Sequence, residues 1–202
     1  MPRTPAQNDV LRAATQEAIE TAAVRVFARH GFAAASMRQI AAEAGLSIGS
    51  IYRHHASKEQ LFEHLLAQAS TGLVAAAERL AGEGPPLALV RDFTTTFLDD
   101  LAGEHGGREF FLVINQAVLT DTPPGAARRL ARAQRSLWSA FAQLVRRGQG
   151  SGEFASGDAE QTTAHYCAML SGIATMRQVM GDGADAPDVD IVLRLLTGGQ
   201  HP

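Results

Sequence analysis

Sulfur chemistry is almost missing from this chain. Cys167 is the single cysteine among 202 residues, so no disulfide can close within the chain. His165 and Cys167 are two apart on a helical pattern and do not face each other, and nothing marks Cys167 as a nucleophile. The other histidines, His30, His54, His55, His64, His105 and His201, show no metal-ligand spacing with cysteine. Phosphate loops and dinucleotide fingerprints are missing as well. Apolar stretches such as Phe110–Ile114 fall far short of a bilayer span, and the opening MPRTPAQNDVLRAAT lacks an apolar signal core. These absences exclude a disulfide scaffold and a helical membrane protein. The expectation is a cytoplasmic protein without enzymatic activity, cofactor or metal site, and with no membrane partner.

Nor is there an excess of positive charge. The formal net charge is −3, which gives no global nucleic-acid signal. Its distribution is uneven. Residues 1–60 hold seven Lys/Arg against five Asp/Glu, and the remainder holds eleven against sixteen. A basic head on an acidic body suits DNA binding by the head alone, although an excess of two charges is small.

What the chain does have is a punctuated stretch from Ser36 to Lys58. Ser36 with Gln39 three residues on forms a capping box. Ile40, Ala41 and Ala44 mark one apolar helical face. Gly45 then stops the helix, because glycine accepts positive φ without a Cβ penalty. Leu46 plugs the corner, Ser47 caps a second helix, and Ile48 and Ile51 are expected to face back toward the first. This is a helix-turn-helix signature, with an ordinary helical hairpin as the plain alternative. The outer face of the second helix carries Ser47, Gly49, Ser50, Arg53 and His54. Small residues at its start allow close approach to a groove floor or a phosphate. Arg53 can read guanine or bridge phosphates, and Tyr52, His54 and Lys58 can donate to backbone oxygens.

Residues Thr15–Gln68, with AIETAAVRVFARHGFAAASMRQIAAEAGLSIGSIYRHHASKEQLFEHLL at their centre, resemble the N-terminal domain of the tetracycline-repressor-like (TetR) family of transcription regulators. Phe27, Gly31 and Phe32 match the end of the first helix. Ser36–Gly45 match the second helix, Ser47–His54 the recognition helix, and Ser57–Leu61 the start of the connecting helix. One departure is visible. Where the family usually has phenylalanine and then proline, this chain has His55 and Ala56. A polar ring there replaces a core plug, so His55 is expected to be partly exposed or hydrogen-bonded to a neighbour.

The rest of the chain reads as helices. The first is expected over about Asp9–His30, with Ala18, Ile19, Ala22, Ala23, Val26 and Phe27 as its stripe. Met1–Asn8 is expected to be disordered; by resemblance such an arm, with Arg3, can touch the minor groove, and an idle tail is the alternative. A fourth helix opens on Ser57-x-x-Gln60 and runs to about Leu80. Others follow over about Leu87–Leu101, Glu109–Leu119, Thr122–Arg147, Asp158–Met180 and Pro187–Leu196. The segment Glu109–Leu119 is apolar nearly all round and so is expected to be buried on all sides. Its Asn115 and Gln116 either pair within the core or face a cavity. Gly148–Phe154 reads as a flexible connection, and Gly181–Asp185 as a loop. The arginines of the Thr122–Arg147 helix read as a solvated face paired with acidic neighbours rather than as a second nucleic-acid surface.

The architecture expected is all-α with about nine helices. A three-helix helix-turn-helix domain would occupy residues 1–57, and a helical ligand-binding and dimerisation domain residues 58–202. The function expected is a homodimeric, ligand-responsive regulator on a palindromic double-stranded DNA operator. Repression relieved by a small apolar effector follows from the resemblance. Arg38, Ser47, Gly49, Ser50 and Arg53 are the candidates for base contact, and Ser36, Tyr52, His54 and Lys58 for phosphate contact. Phe93, Phe97, Phe111, Asn115, Trp138, Phe141, Tyr166 and Met169 are candidate walls of an apolar pocket, each with plain core as its alternative. Two other classes stand beside this one: a DNA-binding dimer whose body takes a protein or nothing, and an all-α ligand-binding protein without operator affinity.

Overall fold

A computed structural model describes residues 5–103, 106–180 and 187–198. Residues 1–4 with Arg3, His105, the Gly181–Asp185 loop and His201 lie outside the described residues, while residues 5–8, expected to belong to a disordered arm, open the first helix instead. Within them the chain forms nine helices: α1 (Pro5–Ala34), α2 (Met37–Glu43), α3 (Ile48–His54), α4 (Lys58–Leu80), α5 (Pro86–Ala102), α6 (Gly107–Thr120), α7 (Ala126–Ser151), α8 (Ala159–Met180) and α9 (Val189–Thr197). No strand occurs among the described residues. No described helix is long and apolar enough to cross a membrane. The chain divides into two compact units. One gathers the residues through Gln68 with Glu109–Ala127; the other gathers Ala69–Arg108 with the residues from Arg128 onward.

In the first unit, the α1 stripe is buried at Ile19, Ala22, Ala23, Val26 and Phe27, while Ala18 is exposed. At Gly31 the backbone leaves helical geometry (φ 71°, ψ 164°), which turns Phe32 back onto the helix. Phe27, Phe32 and Phe62 then form an aromatic triangle with centroids 5.0–5.8 Å apart, tying the end of α1 to α4. Ion pairs from Arg25 and Arg29 to Glu43 join α1 to α2.

Helix α6 departs from the expectation of burial on all sides. Val113, Ile114 and Ala117 are buried, but Gln116 is exposed and Leu119 is 86% exposed. It is therefore an amphipathic helix within its own unit.

In the second unit, Tyr166 of α8 is fully buried, and its hydroxyl lies 2.5 Å from the Thr94 hydroxyl of α5. Burial pushes the phenol's pKa far up, so it stays a neutral hydrogen-bonding group. Phe141 of α7 stacks between Tyr166 (5.0 Å) and Phe93 (5.9 Å). Burial likewise raises the Cys167 thiol to about 11, which makes it inert near neutrality.

Helix α7 starts four residues later than expected and ends four residues later. Asp121 accepts hydrogen bonds from the Gly125 and Ala127 amides, so the cap sits upstream of a turn that includes the cis Thr122–Pro123 bond. At the far end Gly148 stays helical instead of opening a flexible connection. A Cβ on Gly148 would lie 2.1 Å from the buried Phe154 ring, so glycine is there for lack of space. Arg146 pairs with Glu160, and Arg147 donates to the Gly82 and Gly84 carbonyls, while Arg128, Arg132 and Arg135 are exposed.

Candidate nucleic-acid interface

Local chemistry fixes the pair α2–α3. The Ser36 hydroxyl accepts from the Gln39 amide, and the Gln39 side chain accepts from the Ser36 amide at 2.9 Å, closing the capping box. At the other end Gly45 (φ 65°) permits a double closure. Its N–H reaches the Ala42 carbonyl, and the Leu46 N–H reaches the Ala41 carbonyl at 2.9 Å. Ser47 then caps α3 by accepting from the Ser50 amide at 3.1 Å. Ile51 is 0% exposed and anchors α3, a burial contributing about 2 kcal/mol. Ile48 departs from the expectation: it is the first residue of α3 and is 39% exposed.

The outward face carries the expected residues. Ser47, Gly49 and Arg53 are exposed, Ser50 is half-buried, and Tyr52 is 52% exposed. Among the described residues the Arg38 and Arg53 guanidinium groups are exposed and make no ion pair within the chain, so their donors are available. Ser36, Arg38, Tyr52, Ser57 and Lys58 meet around a surface groove of about 420 Å³.

Two residues expected to hold phosphates have partners inside the domain. The Lys58 ammonium donates to the Phe32, Ala33 and Ala35 carbonyls (2.7, 3.2 and 2.9 Å) and sits 4.6 Å from the Phe32 ring centroid. Its three protons cap the end of α1, which leaves none for a phosphate. His54, half-buried, places Nδ1 3.1 Å from the Gln16 Oε1. His55 is 5% exposed and meets the Gln16 amide nitrogen through Nε2 at 2.8 Å. It is thus buried and hydrogen-bonded rather than exposed. Burial, aided by His64 and His54 and opposed by Glu20, holds its pKa below the ordinary 6.5. Sequence reasoning had no means of finding Gln16 as the common partner, since it lies 38 and 39 residues upstream.

Residues 19–65 match the family described as bacterial regulatory proteins, tetR family. The match covers the segment that carries the helix-turn-helix and under a quarter of the chain. A segment of 88 residues is 34% identical to an uncharacterized HTH-type transcriptional regulator, YerO of Bacillus subtilis (strain 168). That segment covers 42% of this chain and 30% of YerO, so the chain matches under a third of that relative's length. The fold is similar to the MbdR regulator from Azoarcus sp. CIB, with a TM-score of 0.75 at 22% identity over 91% of this chain and 98% of that one. It is also similar to SmeT, solved as a complex with triclosan, with a TM-score of 0.66 at 20% identity over 92% and 93% of the two chains. The residues matched by the family contain all of α2 and α3, and so most of the outward face just described.

The expected pocket residues divide between the units. Phe93, Phe97, Trp138, Phe141, Tyr166 and Met169 belong to the second. Phe93, Phe141 and Tyr166 are brought together there; Phe97 and Met169 are half-buried, and Trp138, expected to face inward, is 40% exposed. Phe111 and Asn115, both half-buried, belong to the first.

Proposed function

We propose that this chain is a cytoplasmic homodimeric transcription regulator that binds a palindromic operator through α3 and is released from it by a small apolar molecule. One observation carries the DNA-binding part. A helix held at both ends by caps and anchored by Ile51 turns small residues and an unpaired Arg53 to solvent, within the segment that matches the family. Such a helix fits the major groove; Arg53 is suited to guanine, and the Ser47, Gly49 and Ser50 end permits close approach. Arg38, Ser36 and Tyr52 around the neighbouring groove are suited to phosphates. Lys58 and His54 act by positioning.

Dimerisation is supported by apolar side chains left uncovered on α8 and α9. Met176, Val179, Met180, Ile191 and Leu195 are 44–76% exposed. Uncovered apolar groups of this number mark an association surface. Two copies would present two α3 helices one helical turn, or a multiple, apart on a palindrome. The effector part rests on the aromatic cluster Phe93, Phe141 and Tyr166, with the Thr94 and Tyr166 hydroxyls as its polar groups. The same cluster favours a second reading, because Tyr166 and Phe141 are already packed and hydrogen-bonded or stacked. In that reading the body takes a protein or nothing.

Selection of genomic fragments at physiological salt, followed by titration of the enriched duplex, tests the first part. Enrichment of a palindrome bound by a dimer is expected; no enrichment over a scrambled pool would overturn it. Adding apolar compounds to the complex then separates the two readings, since only the first loses DNA.

A further inference from the structure

His55 stands where an apolar ring is usual, and the polar groups around it form one connected chain across three helices. On α1, the Gln16 amide nitrogen lies 2.5 Å from Glu20 Oε1 and 2.8 Å from His55 Nε2, while its oxygen lies 3.1 Å from His54 Nδ1. On α4, His64 Nε2 meets the same Glu20 oxygen at 2.8 Å, and Gln68 donates to the other at 2.6 Å. The His55 and His64 rings are 5.5 Å apart. Glu20, His54 and His64 are thus the titratable groups facing His55 from α1, α3 and α4.

Counting protons fixes every role. A carboxylate only accepts, so the Gln16 atom beside Glu20 must be the N–H₂ end. Its second proton points to His55 Nε2, which must therefore be a bare lone pair. The amide oxygen can then accept only from a proton on His54 Nδ1. The set is complete only while His55 is neutral and protonated on Nδ1. Adding a proton to Nε2 sets donor against donor. Rotating the amide does not repair this, because its oxygen would then face the Glu20 carboxylate, two acceptors with no proton between them.

We propose that Gln16 is a positioning residue that latches the C-terminal end of the recognition helix to α1 through His54 and His55, and that protonating His55 opens this latch and weakens operator binding. His54 is the last residue of α3 and His55 its C-cap, so the latch holds the end of the helix that carries Arg53. The lowered pKa of His55 agrees with a site built for the neutral ring.

The proposal rests on operator binding for its effect, so the test has two arms. The first needs no DNA. Nitrogen-15 NMR of the imidazoles should show His55 as the Nδ1–H tautomer, and amide exchange at residues 52–55 should accelerate on acidification from pH 7.5 to 5.5, ahead of α1 and α4. A His55 found as the Nε2–H tautomer, or exchange that rises equally in all helices, overturns the latch. The second arm titrates the selected duplex at constant ionic strength over the same pH range. Wild-type affinity should fall about fivefold to tenfold, the lower range of typical coupling between two sites. His55→Phe should stay flat within about twofold, and Gln16→Ala should be weakened at pH 7.5 with little further loss at pH 5.5. Equal pH profiles for wild type and His55→Phe overturn the proposal. Absence of duplex binding at every pH overturns the regulator reading instead, and the exchange arm then decides the latch.

Discussion

The head around α1–α4 and the body around α5, α7 and α8 are held by different forces. In the head, an apolar base that includes Ile51 and the Phe27–Phe32–Phe62 triangle is fastened at its edges by polar side chains: a capping box at Ser36, a three-carbonyl cap by Lys58, and the Gln16–Glu20 network. In the body the centre is aromatic, with Phe141 between Phe93 and Tyr166 and the Thr94–Tyr166 hydroxyl pair inside. A binding helix must keep its outer face free of internal partners, so its inner contacts have to fix orientation as well as hold it down. Directional hydrogen bonds do that; apolar packing tolerates more shapes.

Substitutions sharpen this contrast. Phe141→Ala should cost about 3–5 kcal/mol, read as a lower urea midpoint, since it empties the middle of the body cluster. An equal loss from truncating the exposed Trp138 would break the assignment of the core. Gly148→Ala comes next, at about 1–3 kcal/mol, because its methyl group would drive the Phe154 ring from its place. Gly45→Ala should cost about 1–2 kcal/mol for a different reason. Nothing lies within 4 Å of its would-be Cβ, and only the positive φ objects. Gly45→Asn should therefore recover part of the loss, whereas Gly148→Asn should not.

A smaller effect separates the units by pH. The unfolded chain's imidazole takes up a proton near the ordinary 6.5, and folded His55 does so only at lower pH. Between those values the unfolded state binds more protons, so stability falls as pH drops through that window. Urea midpoints at pH 7.5 and 5.5 should differ more for wild type than for His55→Phe. Equal differences would remove His55 from the account.

How much of this could be read from the sequence follows the same division. Caps and the glycine turn are local codes, so Ser36, Gln39, Gly45 and Ser47 announced α2 and α3, and Asp158 announced α8. Long-range geometry was hidden. Nothing near Lys58 tells that its protons end on carbonyls 23–26 residues upstream, or that His55 turns inward to Gln16. Gly148 reads as flexibility when the need is space for Phe154. Helix α6 reads as apolar all round because eleven residues of composition cannot show which side its neighbours cover.

The central claim is that the free outer face of α3 meets DNA. Fluorescence anisotropy of the selected duplex with wild type and Arg53→Ala tests it most directly. Arg53 is exposed and makes no ion pair among the described residues. The substitution should therefore leave the urea midpoint unchanged while weakening specific binding by about 1–3 kcal/mol. Equal affinity of the two proteins for that duplex would contradict the account.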